Sequence, residues 1–225
     1  MRIFSILMLF SIITASLAGL CFAQSETPDP AEFQEGTEYF RLPSPPTLLA
    51  PDDGKIEVTA FFWYGCRSCY QLDSKLEEWS QNLPGDVRLT ILPMTAEPPM
   101  DVHARIFLTL GKMGLGKKAQ QAVFDIFQID RQPINVIEQL PELAQKLRVK
   151  ESALKEAYNS ADVDAQMQKL EKLMFLYQIE AVPSMAIDGK YIFDLGTAHG
   201  STGYFALADR LIEECRQDRK AAQSK

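Results

Sequence analysis

Two cysteines three positions apart, Cys66 and Cys69, have the residue type and spacing to carry out chemistry. The stretch before them, 56–63, is rich in β-branched and aromatic residues and is typical of a buried strand. The stretch after them, 72–79, has apolar residues at the spacing of an amphipathic helix. The sequence therefore predicts that the pair lies where a strand leads into the first turn of a helix.

That position favours a thiolate at Cys66. A helix N-terminus presents unpaired backbone N–H groups and the positive end of the helix dipole, and both stabilise an anion. We expect Cys66 to be partly exposed with a lowered pKa, and Cys69, one turn further along, to be close enough to form a short disulfide with it. A lowered pKa stabilises the reduced pair, which makes the disulfide more oxidising.

A C-x-x-C pair is also compatible with a structural disulfide or with half of a zinc site. A zinc site would need Cys215, His103 or His199, which lie on separate predicted elements without a second C-x-x-C or H-x-x-x-H spacing. We therefore interpret the pair as redox-active and expect no metal. Cys215 lies on the apolar stripe of the last predicted helix, which indicates a buried core thiol, with a disulfide-linked dimer as the alternative. We expect the two histidines to be surface or helix-packing residues.

The N-terminus has the pattern of a secretory signal peptide. Arg2 precedes an apolar run over 3–22, and the small residues Cys21 and Ala23 come just before a polar stretch. We predict cleavage after Ala23, with Ala18 as the alternative site. An uncleaved anchor is the competing interpretation, because about 20 apolar residues can span a bilayer. The formal net charge of −7 argues against nucleic acid and anionic membrane surfaces as partners.

The rest of the chain predicts one domain interrupted by a helical insertion. A strand, a helix and a second strand in sequence imply a βαβ unit with parallel strands. Apolar residues then recur at helical spacing over 98–179, and Asp188-Gly189 separates two short apolar runs, which is a strong hairpin signal. The predicted elements are an edge strand over 37–42, strands over 56–63 and 87–92, helices over 100–113, 117–129, 134–147, 151–158 and 163–178, the hairpin, and a helix over 204–219. Within 134–147, Pro141 either kinks the helix or opens a second short one.

These elements, the signal peptide, the motif Phe61-Phe62-x-x-x-Cys66-x-x-Cys69-Tyr70 and the dipeptide Val182-Pro183 before the hairpin together resemble the DsbA family of periplasmic thiol–disulfide oxidoreductases. The resemblance covers about 36–219. It implies an α/β, thioredoxin-like fold with an inserted all-helical subdomain. The expected organisation is a signal peptide over 1–23, a flexible leader over 24–35, a thioredoxin-like domain over 36–97 and 180–219, the helical subdomain over 98–179, and a tail over 220–225.

The resemblance also implies roles for individual residues. Cys66 would be the nucleophile and Cys69 the buried resolving thiol, so that the Cys66–Cys69 disulfide itself is the redox group and no other cofactor is expected. Pro183 would be a cis-proline facing this disulfide, and the backbone of Val182 would pair with a substrate strand. We further predict that Tyr64, beside Cys66, lines an apolar surface for unfolded substrate.

The implied function is a periplasmic enzyme that introduces disulfides into secreted proteins. Its expected partners are unfolded or reduced secreted proteins and a membrane redox partner of the DsbB type, with no nucleic acid and no stable membrane insertion after signal cleavage. A disulfide isomerase or reductase of the same fold is one alternative. A periplasmic peptide-binding chaperone with a structural disulfide is the other.

Two positions depart from the family pattern. Family members commonly have Pro-His between the cysteines, where this chain has Arg67-Ser68, which places no imidazole beside the thiolate. Relatives often carry a buried carboxylate six residues before the first cysteine, where this chain has Ala60; Glu57 is expected at the outer end of the strand. The first departure leads us to expect a weaker oxidant than the strongest members of the family.

Overall fold

The computed structural model describes residues 33–43, 53–130 and 137–224. The predicted signal peptide over 1–23 lies outside the described residues, as does most of the predicted leader over 24–35. The described end of that leader differs from the expectation of a flexible segment. Phe33 is buried in the core, and the guanidinium of Arg210 donates a hydrogen bond to its carbonyl, because the segment packs against the C-terminal helix.

A five-stranded sheet forms the centre of the molecule, in the order β1-β5-β4-β2-β3. β2 and β3 are parallel, as the βαβ pattern predicted, and the other neighbours are antiparallel. The short β1 confirms an edge strand in the region 37–42. The strands are β1 (Phe40–Arg41), β2 (Ile56–Phe62), β3 (Val87–Pro93), β4 (Ser184–Ile187) and β5 (Tyr191–Asp194).

The described part of the chain contains seven α-helices. Four of the five helices predicted over 98–179 and the terminal helix are confirmed with shifts of a few residues at their ends, whereas the helix predicted over 134–147 is shorter than expected, and positions 134–136 lie outside the described residues. A 3-10 turn, Ile137–Gln139, precedes the fourth helix, and Pro141 lies in the first turn of that helix, so the proline opens a short helix and does not kink a long one. The helices are α1 (Arg67–Gln81), α2 (Pro98–Lys112), α3 (Gly116–Gln128), α4 (Leu140–Lys146), α5 (Glu151–Tyr158), α6 (Ala161–Leu176) and α7 (Ser201–Gln223).

The hairpin between β4 and β5 turns at Asp188 and Gly189, whose φ angles of 54° and 64° are both positive. Glycine adopts this left-handed conformation without steric cost, and aspartate tolerates it better than most residues, which is why the dipeptide predicts the turn. At the C-terminus, α7 runs to Gln223, so the segment expected as a tail over 220–225 continues the helix for most of its length.

The core has one cluster on each face of the sheet and a third inside the inserted helices. Ile56, Val58 and Ala60 of β2 face α1 and α7, whereas Phe61 faces α6. Phe62, at the end of β2, packs among α2, α3, α4 and α5. Consecutive side chains of a strand point to opposite faces, so a central strand covered on both sides is buried along its whole length.

Glu57 is the second residue of β2 and lies at the end of the strand away from Cys66, as expected, but its side chain is buried there. It is 1 % exposed, and its Oε1 accepts a hydrogen bond of 3.1 Å from the Thr90 hydroxyl. The central position of β2 explains the burial, since β3 and β4 flank it on either side and α6 packs on the face that Glu57 shares with Phe61. Within the described residues, no helix combines the length and apolar character needed to cross a bilayer.

The packing of α6 yields a matched stability test. Leu170 is 2 % exposed in the cluster with Phe61, whereas Leu176, on the same helix, is 44 % exposed. We expect Leu170→Ala to lower the free energy of unfolding by about 2–5 kcal/mol, because it leaves a cavity, and Leu176→Ala to lower it by well under half of that. Urea unfolding of both variants measures the difference. Equal losses would show that α6 does not pack as described.

Candidate active site

Cys66 is the N-cap of α1, so its side chain takes part in starting the helix. Its backbone is extended, with φ of −85° and ψ of 116°, and its Sγ accepts a hydrogen bond of 3.1 Å from the backbone N–H of Cys69. That N–H is one of the four at a helix start that have no partner within the helix. The sulfur thus occupies the place where capping oxygens of Ser or Asp are found in other helices.

The turn before the cap depends on a glycine. A Cβ atom on Gly65 would lie 2.3 Å from the indole ring of Trp63, which folds back over the turn. The indole in turn stacks on the ring of His103, with ring centroids 5.7 Å apart. Any larger residue at position 65 would therefore force this indole to move.

The two thiols have opposite electrostatic environments. Hydrogen bonds from the Cys69 thiol and from the backbone N–H groups of Cys69 and Ser68 lower the pKa of Cys66 to about 7, although partial burial acts against them. Cys69 is 3 % exposed, and burial raises its pKa well above the ordinary value, as does its hydrogen bond to Cys66. At neutral pH Cys69 therefore keeps its proton, and Cys66 is present both as a thiol and as a thiolate.

The loop before β4 brings Val182 and Pro183 to the same place. Because β4 runs antiparallel to β2, with Ser184 opposite Phe61, the start of β4 lies beside the end of β2 that leads to Cys66. The Val182–Pro183 peptide bond is cis. The Cys66 thiol donates a hydrogen bond of 3.4 Å to the carbonyl of Val182, which is half-buried.

The two residues between the cysteines are both exposed. The guanidinium of Arg67 lies 5.5 Å from the centroid of the Tyr70 ring, within range of a cation–π interaction. The Tyr70 hydroxyl donates a hydrogen bond of 3.2 Å to Asp125, which joins α1 to α3. Arg67 thus lies along the helix surface, and Ser68 presents a hydroxyl at the first turn.

Tyr64 is not at the surface, which corrects the prediction that it lines an exposed apolar patch. It is 1 % exposed; its ring stacks on Phe127, and its hydroxyl donates a hydrogen bond of 2.9 Å to Gln120. The position of Tyr64 beside Cys66 suggested a surface role, but α3 of the inserted region covers its ring. Gln128 adds a hydrogen bond of 2.7 Å from its Nε2 to the Tyr64 carbonyl, so this residue attaches the insertion to the sheet domain.

The remaining cysteine and histidines lie elsewhere. Cys215 is buried on α7, as its apolar stripe predicted, and burial raises its pKa to about 12. His103 is buried against Phe127 and Trp63, which agrees with a packing residue. His199 lies 3.2 Å from Glu38. In the parts of the chain that the structure describes, no three His, Cys, Asp or Glu side chains are grouped so that they could hold a metal ion.

Several residues around the pair were not found from the sequence, including Asp73, Gln120, Asp125 and Gln128. Gln120, Asp125 and Gln128 each form a hydrogen bond with a residue near the cysteines that is 55 to 64 positions away in the chain. Asp73 accepts a hydrogen bond from Gln120, which is 47 positions away. Their types are common on polar helix faces, so the sequence contained no signal that separates them from ordinary surface residues.

Comparison with known proteins decides the family. Residues 57–212 match the family model of the DSBA-like thioredoxin domain. The chain belongs to this family. It is 37 % identical over 209 residues to the thiol:disulfide interchange protein DsbA of Azotobacter vinelandii, covering 91 % of this chain and 97 % of that protein. It is 36 % identical over 206 residues to the DsbA of Pseudomonas aeruginosa, covering 91 % and 96 %.

A solved structure agrees with the sequence comparisons. The crystal structure of Pseudomonas aeruginosa DsbA matches with a TM-score of 0.80 and 36 % identity over 84 % of this chain and 98 % of that one. The thioredoxin-like fold with a helical insertion, expected from the order of elements, is therefore confirmed. The protein is a thiol:disulfide oxidoreductase of the DsbA type.

The different environments of the two thiols make a direct prediction about their titration. We expect thiolate absorbance of the reduced protein to rise with an apparent pKa of about 7, and iodoacetamide at neutral pH to alkylate Cys66 but not Cys69. Mass spectrometry of proteolytic fragments locates the label, and Cys215→Ala serves as the control because its thiol is buried. A midpoint at the pKa of free cysteine, near 8.5, would contradict the capping interaction as its cause.

Proposed function

We propose that Cys66 is the nucleophile and Cys69 the resolving thiol of an enzyme that introduces disulfides into secreted proteins. The observation that carries the proposal is the asymmetry of the pair at the start of α1. The sulfur of Cys66 is partly exposed and is stabilised as an anion by the Cys69 N–H, whereas Cys69 is buried and holds its proton. An incoming thiolate can reach Cys66 alone, and a low-pKa sulfur is the better leaving group at the end of the cycle.

The exchange proceeds in two displacements. A substrate thiolate attacks Sγ of Cys66 in the oxidised pair, a substrate–Cys66 disulfide forms, and Cys69 leaves as a thiolate that takes up one proton. A second substrate thiol loses its proton and attacks the substrate sulfur of this mixed disulfide, so that the substrate disulfide forms and Cys66 leaves as a thiolate. Two electrons pass from substrate to enzyme; of the two protons lost by the substrate, one is bound by Cys69 and one goes to solvent.

Substrate binding is supported by a groove beside the nucleophile. Val182, Pro183, Ser68 and the loop after β5 line an open groove of about 440 Å³. Ala181 is exposed and Val182 is half-buried, and both precede the first residue of β4, so their backbone is placed to pair with an extended peptide whose cysteine reaches Cys66. Backbone pairing does not depend on side-chain identity, which suits an enzyme acting on many unfolded or reduced proteins.

The proposed compartment is the periplasm, and the proposed oxidant of the reduced pair is a membrane protein of the DsbB type. The signal-peptide pattern over 1–23 supports export. Membership of the DsbA family supports both the compartment and the partner. The Cys66–Cys69 disulfide would be the only redox group that the cycle needs.

The Arg67-Ser68 dipeptide favours a weaker oxidant than the strongest family members. A pKa of about 7 at Cys66 leaves its thiolate less stabilised than in a site with an imidazolium beside the sulfur. One pKa unit corresponds to about 1.4 kcal/mol, and the same energy is about 30 mV in a two-electron couple. A weaker oxidant is compatible with isomerase or reductase activity, so the Arg67-Ser68 dipeptide makes that activity the second candidate function.

Replacing the resolving thiol tests the assignment of the two cysteines. In a Cys69→Ala variant the Cys66 thiolate can attack a disulfide of an oxidised substrate protein and displace one substrate thiolate, and no second enzyme thiol is left to attack the resulting mixed disulfide. We therefore expect substrate proteins to accumulate covalently on Cys66. In Cys66→Ala we expect no such complexes and no turnover, and Cys215→Ala is the matched control that should behave as the native protein. Gels run without reductant detect the complexes. Retained protection of unfolded proteins by Cys66→Ala as the sole activity would instead support a peptide-binding chaperone.

Introducing the Pro-His dipeptide that is common in the family tests what sets the oxidising strength of the disulfide. We expect Arg67→Pro combined with Ser68→His to lower the pKa of Cys66, because the imidazolium adds a positive charge beside the thiolate, and to raise the reduction potential by about 30 mV for each pKa unit. Proline is tolerated at this first helical position. Titration against glutathione measures the potential, with Ser68→Ala as control. An unchanged potential would mean that this dipeptide does not set the oxidising strength.

The direction of the reaction is measured in intact cells. Rapid acid quenching and alkylation report whether Cys66 and Cys69 are held as a disulfide or as two thiols. A mostly oxidised pair supports the oxidase, and a mostly reduced pair supports the isomerase or reductase.

A further inference from the structure

The buried position of Cys69 creates a need for a proton partner. In each cycle this thiol must lose its proton to attack and regain it after leaving, yet burial disfavours its anion. Direct exchange with bulk water is hindered, because only 3 % of the residue is exposed. A titratable group inside the protein would shorten the proton's path.

A small cavity lies against Cys69. It has a volume of about 20 Å³, which is enough for one water molecule. Most of its wall is apolar, and Ala60 contributes no titratable group to it. Besides Cys69, the ionisable residues on the wall are Asp73 and Tyr204. Burial raises the pKa of Tyr204 well above its ordinary value, so this phenol keeps its proton and Asp73 is the group able to exchange one.

Asp73 also borders the solvent. It lines a second, open groove of about 730 Å³, whose wall shares Leu76, Ile91 and Gln120 with the small cavity. Asp73 therefore stands between the water-sized space at Cys69 and the solvent in the outer groove. A carboxyl in this position can bind a proton from one side and release it to the other.

The surroundings of Asp73 suit that exchange. Gln120 Nε2 of α3 donates a hydrogen bond of 3.4 Å to its Oδ1, which holds the side chain in place. Desolvation raises the pKa of Asp73, and the charge of Glu77 adds to this, whereas the hydrogen bond from Gln120 acts in the opposite direction and only partly offsets them. The other titratable groups nearby are Tyr64 and Tyr204, both buried and protonated, and Lys55, which also lines the outer groove. A raised pKa brings the carboxyl closer to the pH at which the enzyme works.

We propose that Asp73 exchanges the proton of Cys69 through one water molecule in the small cavity. When Cys69 attacks the mixed disulfide on Cys66, its proton passes to the water, and the water passes a proton to the Asp73 carboxylate. When Cys69 leaves as a thiolate, the protonated carboxyl returns a proton by the same route. The electron pair moves only between sulfurs, and Asp73 acts as a proton relay from a position on α1 one turn beyond Cys69. The inference rests on Cys69 being the resolving thiol.

The test separates the two steps of oxidation by glutathione disulfide. Attack by the Cys66 thiolate forms a mixed disulfide, and attack by Cys69 then releases glutathione. Acid-quenched samples analysed by mass spectrometry give the rate of each step between pH 5 and 9. We expect Asp73→Asn to leave the first rate unchanged and to slow the second by at least about tenfold near neutral pH, so that the mixed disulfide accumulates. The difference in the second rate between Asp73→Asn and the native protein should become smaller as pH rises, because hydroxide can accept the Cys69 proton in place of the carboxylate.

Two further variants sharpen the result. Glu77→Gln removes a carboxylate from the outer groove but not from the small cavity. Because it removes only a charge that adds to the raised pKa of Asp73, it should leave the first rate unchanged and slow the second far less than Asp73→Asn does. Asp73→Glu keeps a carboxyl and should retain most of the native pH profile of the second step. A second step in Asp73→Asn with the native rate and pH profile would overturn the proton relay and leave the assignment of the two cysteines intact. Failure of the Cys66 thiolate to react with glutathione disulfide in both the native protein and Asp73→Asn would instead refute the proposed roles of Cys66 and Cys69.

A measurement on the native protein covers the case in which Asp73→Asn does not fold. Carbon-13 NMR of the Asp73 carboxyl, assigned with Asp73→Glu, gives its pKa in the dithiol and disulfide states. We expect the two values to differ, because the relay couples this carboxyl to the charge and proton of Cys69. Identical pKa values in both states would refute the relay.

Discussion

One hydrogen bond, from the N–H of Cys69 to the sulfur of Cys66, links the fold to the chemistry. It exists because α1 begins at Cys66, and a helix start leaves its first N–H groups without partners. The same interaction caps the helix and stabilises a thiolate. The backbone of α1 therefore supplies the charge stabilisation, and the exposed side chains of Arg67 and Ser68 adjust it.

Burial assigns different tasks to two identical side chains. Cys66 lies at the open end of the helix beside Val182, and Cys69 lies one turn deeper, against Phe62, Tyr64 and the inserted helices. The inserted region is thus part of the active-site environment and does more than cover the sheet. Through α3 it buries Tyr64 by way of Gln120 and Gln128, and it holds the side chain of Asp73 at the wall of the small cavity.

The family relationship explains why this arrangement is shared, while the chain's own residues explain where it differs. The match over 57–212 covers the sheet, the insertion and most of α7. Within that frame, the chain has no carboxylate at Ala60, and Asp73 approaches the same small cavity from α1. In the proposed relay the proton path is supplied from α1, because Asp73 and Ala60 border the same space.

The sequence by itself determined the elements and the reactive pair. The periodicity of apolar residues and the Asp188-Gly189 turn are local signals, because strand, helix and turn geometry are set by neighbours within a few positions. The C-x-x-C pair was equally local, since a helix cap and its third residue are always close together. These signals were sufficient to predict the βαβ unit, the hairpin and a partly exposed Cys66 at the start of a helix, whereas the burial of Cys69 was implied by the resemblance to the DsbA family.

Only the tertiary structure decided what surrounds the pair. The burial of Tyr64, Glu57 and Phe33, the continuation of α7 and the position of Asp73 were not visible in the sequence. The burial depends on contacts with residues far away in the chain or on coverage by another element. Side-chain type and spacing do not encode such contacts, because a tyrosine beside a reactive cysteine has the same local pattern whether a helix covers it or solvent does. Packing between distant segments makes that choice.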